Sequence, residues 1–295
     1  MNILISGATG LVGTALTSHL RSQGHSIHTL QRNNSGAPFS WQPDKKQIVL
    51  DPSINIDAVI NLNGVNIGDK PWSPQRKLDI IKSRVDSTSL LADTMAALPN
   101  PPKVFINASA IGFYGNSGST AVDESSSAGT DFLTEIVSTW EKAANALETT
   151  SIRTVFIRSG VVLSKEAGAL QKMLLPFKLG LGGRVGSGKQ FMSWIALEDE
   201  VRAIDFILNN SNIKGPVNLT SPNAVTNKFF TKTLASCLNR PSIFPMPEFI
   251  VKLLFGEMGE MLLLGGANVK PTVLLKNGFE FKYPELDKAF QAALK

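Results

Sequence analysis

A glycine-rich turn near the N-terminus constrains the fold of this chain more than any other feature. The apolar run Asn2–Ser6 predicts a buried strand, and Gly7, Gly10 and Gly13 follow it at three-residue spacing. Beyond the turn, apolar side chains recur at the spacing of a helix face: Leu11, Val12, Ala15, Leu16 and Leu20. A strand, three glycines and a helix in this order predict the first half of a nucleotide-binding βαβ unit.

Each glycine of the turn has a physical role in this interpretation. Gly7 lets the chain turn sharply out of the strand. Gly10 leaves room for a pyrophosphate beside the backbone, and Gly13 lets the helix pack closely on the sheet. The free N–H groups at the start of the helix then face the anion. A glycine-rich turn without a ligand is the alternative, but its place between a strand and a helix favours a nucleotide.

The end of the second predicted strand, residues 26–31, indicates which nucleotide is bound. NAD-specific sites usually carry an acidic residue there, which holds the ribose 2′-hydroxyl. This chain instead has the sequence Gln31-Arg32-Asn33-Asn34. A guanidinium can hold a 2′-phosphate, which a carboxylate would repel. Arg32 therefore predicts NADP(H) rather than NAD(H), the alternative being a solvated surface arginine.

Composition excludes several classes of protein. With 295 residues, 43% of them hydrophobic and 18% charged, the chain can bury a full core and is not disordered. Its net charge of +5 includes no basic run, so no nucleic-acid partner is predicted. Cys237, the single cysteine, excludes an internal disulfide and favours a reducing compartment. Because the chain starts with a core strand, we expect no signal peptide and a cytoplasmic location.

The late apolar stretch 249–266 is interrupted by Lys252, Glu257 and Glu260. Charges at this spacing break up a membrane span, so we predict a packing helix or an interface and no membrane partner. A homodimer stays open as an assembly of this chain.

Alternating strand and helix patterns predict an α/β fold with a Rossmann-type, doubly wound parallel sheet. We expect residues 1–163 to form the NADP-binding domain and residues 164–295 a smaller, mostly helical lobe built onto the same sheet. A hairpin within residues 39–50 is expected to lead into a strand near residues 47–50, and further strands are predicted near residues 57–62, 103–107, 153–158 and 216–219. Helices are predicted near residues 73–98, 131–148, 169–179, 197–208, 227–238, 248–255 and 285–294.

Several motifs carry a family resemblance. The turn Ser6-Gly7-Ala8-Thr9-Gly10-Leu11-Val12-Gly13, the sequence Asn61-Leu62-Asn63-Gly64 and the strand-end Ser109 resemble the extended short-chain dehydrogenase/reductases, the nucleotide-sugar epimerase group. Longer segments are similar to its atypical branch, the epimerase family 39U member 1-like: Ile81-Lys82-Ser83-Arg84-Val85, residues 108–115, Trp140-Glu141, residues 158–163, residues 180–183 and Ser193-Trp194-Ile195. The resemblance implies an NADP(H)-binding Rossmann domain with a small C-terminal substrate lobe.

Ordinary members of this superfamily use a Tyr-x-x-x-Lys pair to move the proton that accompanies the hydride. Neither tyrosine of this chain is followed by lysine at that distance, since Gly118 follows Tyr114 and Asp287 follows Tyr283. If Glu141 matches the glutamate that the family has late in this helix, Leu133 and Val137 occupy the places of the pair. The usual proton relay is therefore missing.

Ser109 and Tyr114 are the remaining catalytic candidates. Ser109 ends a predicted strand at the sheet edge where ligands bind, and its hydroxyl could bond a substrate oxygen. Tyr114 could donate a proton, or it could pack as an aromatic of the loop, and both interpretations stay open. Asp123 and Glu124 are expected to cap or solvate a loop.

No metal site is predicted, since the ligand types are not clustered. His19, His25 and His28 all lie in the first βαβ unit, away from the expected position of the nicotinamide, so we assign them structural or surface roles. The segment 180–194 could form a loop over the substrate cleft or a flexible surface connection.

The predicted cofactor contacts lie in the turn, at strand ends and on two helices. The resemblance favours Arg84 facing the nucleotide, adds Asp79 on the same helix, and places Val137 beside the ribose. The full set is Gly7, Thr9, Gly10, Leu11, Val12, Gly13, Gln31, Arg32, Leu62, Asn63, Gly64, Asp79, Arg84 and Val137.

Two functions follow from these observations. The first is an NADP(H)-dependent oxidoreductase or epimerase-like enzyme that acts on an unidentified small molecule with a hydroxyl or carbonyl group. The second is an NADP(H)-binding regulatory or scaffold protein without turnover, related to cell division as the resemblance suggests. The missing pair favours the second, while Ser109, Tyr114 and the predicted cleft loop favour the first.

Overall fold

A computed structural model describes residues 1–32 and 36–295. Its main sheet has six strands: β1 (Asn2–Ser6), β2 (Ser26–Thr29), β3 (Ala58–Asn61), β4 (Val104–Ala110), β5 (Arg153–Ser159) and β6 (Gly215–Leu219). Their order across the sheet is β6-β5-β4-β3-β1-β2, and all neighbouring strands are parallel. This arrangement confirms the predicted doubly wound parallel sheet.

Helices cover both faces of the sheet and build the C-terminal lobe. They are α1 (Leu11–Ser22), α2 (Pro74–Ala97), α3 (Phe132–Lys142), α4 (Gly168–Lys178), α5 (Leu197–Asn209), α6 (Asn227–Cys237), α7 (Glu248–Gly259), α8 (Thr272–Lys276) and α9 (Leu286–Leu294). A π-helical turn, Glu260–Leu264, follows α7 directly. Within the described part of the chain, no helix is both long and apolar enough to cross a bilayer.

The apolar strands are buried on both faces, because helices lie on each side of a parallel sheet. Ile3 and Ile5 of β1 pack on one face in the same apolar cluster as Ile204 of α5. Leu4 points to the opposite face and packs in a cluster with Leu91 of α2. The continuous apolar run of β1 is what this two-sided burial requires.

The start of α2 follows from local chemistry. The Ser73 hydroxyl accepts a hydrogen bond from the backbone N–H of Arg76 at 3.1 Å, and Pro74 is the first helical residue. A capping serine followed by proline is a favoured helix beginning, so the predicted start is confirmed.

The predicted strand near residues 47–50 forms as the second strand of a hairpin, outside the six-stranded sheet. Residues Gln47–Val49 pair antiparallel with Ser40–Gln42, which pairs in turn with Gln31–Arg32 in a separate three-stranded sheet. Gln47 and Val49 are exposed while Ile48 is half-buried, so only one face of this strand is covered. The predicted helix 131–148 is also shorter, since α3 ends at Lys142 and a 3₁₀ turn, Asn145–Leu147, follows.

The C-terminal lobe is joined to the main sheet rather than set beside it. Strand β6 pairs with β5, and α5 covers one sheet face, although both follow residue 163. The rest of the lobe has its own core around Leu170, Phe230 and Phe290. The domain boundary at 163 stays a prediction.

Candidate functional site: a crevice at the end of β1 and β3

The glycine turn fits tightly against the chain at two of its three glycines. Gly7 has a φ of +72°, and a Cβ there would lie 2.7 Å from the carbonyl oxygen of Leu62. A Cβ on Gly13 would collide with the carbonyl oxygen of Gly7. Gly10 differs, because a Cβ there would meet only the Gly7 carbonyl oxygen, at 3.4 Å. The fold therefore requires Gly7 and Gly13, whereas the space beside Gly10 is open.

The N-terminus of α1 offers unoccupied donors at this open space. Gly10 is its N-cap, the first turn has no acidic residue, and no side chain in the described segments caps it. Leu11 and Val12 supply the first N–H groups of the helix, and Thr9 is exposed beside them. Uncapped N–H groups and the positive end of the helix dipole form a favourable place for an anion.

The crevice lies where the strand order reverses. β2 lies on one side of β1 and β3 on the other, and ligands of such sheets bind at this switch point. The Arg32 guanidinium, from the chain after β2, donates from Nη2 to Asn63 Oδ1 at 3.3 Å, after β3. Gln31 precedes Arg32 in the short strand, whereas Asn33 and Asn34 lie outside the described residues.

Three buried polar side chains lie side by side on β1, β3 and β4, next to the crevice. Ser6, Asn61 and Asn107 are partners in register on β1, β3 and β4. Ser6 Oγ donates to Asn61 Oδ1, and Asn61 Nδ2 donates to Asn107 Oδ1 at 2.7 Å. The backbone N–H of Asn63 also donates to Asn61 Oδ1, at 3.3 Å, which holds the turn after β3. The sequence analysis missed this row, although each apolar strand run reaches a polar residue at the same sheet level.

Arg84 lies over the turn after β3. Its Nη1 and Nη2 donate to the carbonyl oxygens of Ile80 and Val65, and its guanidinium lies 5.0 Å from the Trp140 ring centroid. A Cβ on Gly64 would come 3.3 Å from Arg84 Cζ. Burial lowers the pKa of Arg84 to about 10, which still leaves it charged at neutral pH. No ion pair involving Arg84 forms among the described side chains, so a bound anion would neutralise it.

Asp79 of α2 and Val137 of α3, the other predicted cofactor contacts on helices, are not placed like Arg84. Asp79 is exposed and accepts a hydrogen bond from Gln75 Nε2 at 2.9 Å, one turn earlier on α2. Val137 is buried in α3, and a Cβ on Gly112 would lie 3.7 Å from Val137 Cγ2 and 3.2 Å from Leu133 Cβ. The two positions expected for a tyrosine and a lysine thus present apolar groups to the chain after β4.

Ser109 belongs to a buried ionic cluster. Its Oγ donates to Glu141 Oε1 at 2.6 Å. Arg158 of β5 holds both oxygens of the same carboxylate, through Nε and Nη2, each at 2.8 Å. The Arg158 side chain is only 4% exposed. A bidentate pair of this kind fixes the positions of α3 and β5 beneath Ser109.

Tyr114 extends this cluster toward β6. Its hydroxyl donates to Asn218 Oδ1 at 2.8 Å and accepts from Arg158 Nη1 at 3.1 Å. The residue is 4% exposed, and burial raises the pKa of its phenol. These contacts favour the packed-aromatic interpretation of Tyr114. Asn218 and Arg158 were not found from the sequence, because no local pattern links them to Tyr114.

Asp123, Glu124 and His19, the remaining polar candidates, make contacts with other groups of the protein. Asp123 Oδ1 accepts from the N–H and hydroxyl of Ser125, as expected of a loop cap. Glu124 Oε1 accepts backbone N–H groups of Asn218 and Val273, and burial raises the pKa of its carboxyl group. His19 pairs with Asp205. Residues 1–32 and 36–295 contain no group of three metal-ligating side chains.

The glycine-rich loop between α4 and the next strand is anchored to the C-terminal lobe. Gly180, Gly186 and Gly188 have positive φ values of 74°, 56° and 72°. Gln190 Nε2 donates to the carbonyl oxygens of Val185 and Leu263, at 3.0 and 2.8 Å. These bonds connect the loop to the π-helical turn.

Two family models match this chain. The family model described as "NAD dependent epimerase/dehydratase family" matches residues 3–219, and a "Domain of unknown function" model matches residues 246–293. The chain belongs to the NAD dependent epimerase/dehydratase family.

Individual relatives cover the whole chain. An epimerase family protein of Mycobacterium tuberculosis is 39% identical over 289 residues, 97% of this chain and 95% of that protein. The crystal structure of the human epimerase family protein SDR39U1 with NADPH superposes with a TM-score of 0.91 at 35% identity, covering 100% of both chains. UDP-glucose 4-epimerase of Thermotoga maritima has a TM-score of 0.78 at 15% identity over 100% of this chain and 97% of that chain, which shows the fold alone. The predicted family and fold are confirmed.

Proposed function

We propose that the chain is an NADP(H)-dependent oxidoreductase or epimerase-like enzyme acting on a small molecule with a hydroxyl or carbonyl group. One observation carries this proposal: the uncapped N-terminus of α1, the open space beside Gly10 and the Arg32 guanidinium converge on one crevice. The NADPH in the crystal structure of human SDR39U1 supports it.

The residues present fit this cofactor. The N–H groups at the start of α1 would hold the diphosphate, and Arg32 would pair with the 2′-phosphate. Asn63 supports the same assignment, because its Nδ2 is buried without a hydrogen-bond partner in the described chain. Arg84 supplies a buried positive charge beside Gly64. When bound, the nicotinamide supplies or accepts a hydride.

For the substrate, we propose Ser109 as the catalytic hydroxyl and Tyr114 as a positioning residue. Glu141 accepts the Ser109 proton in a hydrogen bond, so the serine oxygen keeps lone pairs for a substrate hydroxyl. Tyr114 acts through Arg158, which it helps to hold against Glu141. Leu133 and Val137 have no proton to move, and this observation favours the second candidate function, cofactor binding without turnover.

The cofactor assignment is tested at Arg32. Arg32→Asp should lower the affinity for NADPH at least about tenfold, because a carboxylate repels the 2′-phosphate, and should leave NADH affinity nearly unchanged. Calorimetric titration with both cofactors measures the difference. Lys288→Asp, at an exposed lysine of α9, is the control for the change of net charge. Equal affinity of the unmodified protein for NADPH and NADH would contradict the assignment.

The enzyme assignment is tested at Ser109. On a panel of carbonyl compounds with NADPH and alcohols with NADP, Ser109→Ala should lower kcat by about a hundredfold or more. Its NADPH affinity should stay the same, since Ser109 contacts Glu141 and not the glycine turn. Tight NADPH binding with no turnover on any compound would favour the regulatory function instead.

A further inference from the structure

A polar groove runs along one side of α1, beginning at the glycine turn. It has a volume of about 440 Å³, which is in the range of small-molecule sites, and the end of β2 forms its other wall. We call it the α1 groove, and six residues supply its polar side chains: Thr9, Thr14, Thr17, Ser18, Arg21 and Thr29.

The position of these residues on their elements explains the groove. Four of them share one side of α1, because they lie three or four positions apart: Thr14, Thr17, Ser18 and Arg21. Thr29 of β2 is the in-register partner of Ile5, and Ile5 packs in the same apolar cluster as Leu16 of α1. Thr29 therefore lies on the face of the sheet that α1 covers.

Thr17 carries a buried hydroxyl without a protein partner. The residue is 8% exposed, and its Oγ1 makes no hydrogen bond within the described chain. Other helix threonines bond a carbonyl oxygen one turn earlier, as Thr94 and Thr233 do at 2.6 and 2.9 Å. Leaving a buried hydroxyl unpaired costs free energy, and a ligand in the α1 groove would supply the missing partner.

Arg21 gives the α1 groove a positive charge. Its guanidinium forms no ion pair with a side chain of residues 1–32 or 36–295. None of the residues that line the groove is acidic. The dipole of α1 favours a cation in this last helical turn, but it does not account for the unpaired hydroxyl of Thr17 beside it.

These groups fit a phosphate group better than a carboxylate or a neutral polyol. A guanidinium holds two phosphate oxygens in a forked contact, and the hydroxyls of Thr17 and Thr29 can donate to the others from helix and strand. A phosphate group presents three acceptor oxygens in different directions, whereas a carboxylate has two in one plane. A neutral polyol would leave the charge of Arg21 uncompensated.

The α1 groove leads away from the crevice proposed for the cofactor. Thr17 and Arg21 lie about 9 and 15 Å along the helix axis from Leu11, the first residue of α1. A phosphate group held by these two side chains therefore does not fill the space beside Gly10.

We propose that the α1 groove binds the phosphate group of a second small ligand, either free phosphate or a phosphate monoester, while the cofactor crevice is occupied. Arg21 and the buried Thr17 hydroxyl are its main contacts. The proposal does not depend on the proposed reaction, because neither residue is assigned to the cofactor or to the substrate.

Calorimetric titration with sodium phosphate, at constant ionic strength and with saturating NADPH to fill the crevice, tests the proposal. The unmodified protein should bind phosphate, and Thr17→Val and Arg21→Gln should each raise the phosphate dissociation constant at least about tenfold. Titration with glycerol 3-phosphate separates the two sources of the group. Tighter binding than that of phosphate assigns the groove to a monoester, and weaker binding assigns it to the free ion.

Thr231→Val is the matched control for Thr17→Val. Thr231 is 3% exposed in α6, and its Oγ1 also lacks a hydrogen-bond partner in the described residues, but it does not line the α1 groove. Lys288→Gln, at an exposed lysine of α9, is the control for the loss of a positive charge. Both control variants should bind phosphate as the unmodified protein does, and thermal unfolding of each variant reports whether it is folded.

Several results would overturn the proposal. These are an unmodified protein that does not bind phosphate, equal phosphate affinities of Thr17→Val and Thr231→Val, or an affinity that Lys288→Gln lowers as much as Arg21→Gln. Displacement of phosphate by NADPH would assign the groove to the 2′-phosphate of the cofactor and refute a separate site. A protein that ignores NADPH but binds phosphate through Thr17 would refute the proposed function and leave this proposal intact.

Discussion

Glu200, on the first turns of α5, carries a carboxyl group into the protein interior. The residue is 1% exposed, and Ser159 Oγ donates to its Oε1. Its Oε2 has no hydrogen-bond partner in the described parts of the chain. Burial raises the pKa of Glu200 to about 8, so the neutral form predominates at pH 7 in the folded protein.

This residue should make the folded state less stable as the pH rises. The unfolded chain releases the Glu200 proton near pH 4.3, about the ordinary glutamate pKa, but the folded protein keeps it until about pH 8. The neutral carboxyl group therefore makes its full contribution to the free energy of unfolding below about pH 4. Between about pH 4 and pH 8 that free energy decreases by up to ~1.4 kcal/mol per pH unit.

Glu200→Gln should remove that decrease, since an amide keeps the shape without the ionisation. The variant should gain stability over the unmodified protein progressively between pH 5 and pH 8, by denaturant unfolding at several pH values. Glu198→Gln is the control, because Glu198 is exposed on the same helix and bonds with Lys282 and Tyr283 lower its pKa in spite of partial burial. Parallel pH profiles for the Glu200→Gln variant and the unmodified protein would show the interpretation to be wrong.

In the turn between β1 and α1, a substitution at Gly10 should affect folding stability and cofactor affinity to different extents. Gly10→Ala should cost no more than about 1 kcal/mol of folding stability, the usual cost of alanine at an N-cap. Its methyl group would occupy the space proposed for the diphosphate, so NADPH affinity should fall at least about tenfold. Calorimetric titration and denaturant unfolding measure the two effects.

Gly24 offers the matched control for this turn. Its φ is +81°, and nothing lies within 4 Å of a Cβ there. Gly24→Ala should cost of order 1 kcal/mol or more through backbone strain alone, with no change in NADPH affinity. If Gly10→Ala binds NADPH as tightly as Gly24→Ala, the open space beside Gly10 does not hold the diphosphate.

Elements with local signals were predicted well from the sequence. β1 is found at its predicted limits because its apolar run is continuous, and α2 begins where Ser73 caps it. The strand Gln47–Val49 also forms, but its place in a separate three-stranded sheet was not specified by the sequence. Strand propensity alone does not specify a partner.

The site was predicted less completely for the same reason. The glycine turn is a local pattern, so the sequence proposes its residues together with Arg32 and Arg84, and their role as cofactor contacts stays a prediction. The contacts of Tyr114 with Asn218 and Arg158 join strands that are distant in sequence. Only the tertiary structure shows that the tyrosine hydroxyl already has two partners.

At the scale of the whole molecule, the lobes are interleaved rather than sequential. The last strand of the main sheet, β6, pairs with β5. In the sequence, α4 and α5 lie between these two strands. Ala203, Ile204 and Ile207 of α5 share one apolar cluster with Ile3 and Ile5 of β1. Residues beyond 163 therefore cover one face of the sheet that carries the candidate crevice.

A fragment of residues 1–163 should consequently fail to fold cooperatively. It would leave the β5 edge unpaired and expose the apolar side chains that α5 covers, a loss too large for a domain of marginal stability. Circular dichroism should show a broad, non-cooperative thermal transition for this fragment. A longer fragment, residues 1–226, regains β6 and α5 and should recover a cooperative transition. If residues 1–163 alone unfold cooperatively and bind NADPH, the sheet does not depend on the interleaved segment.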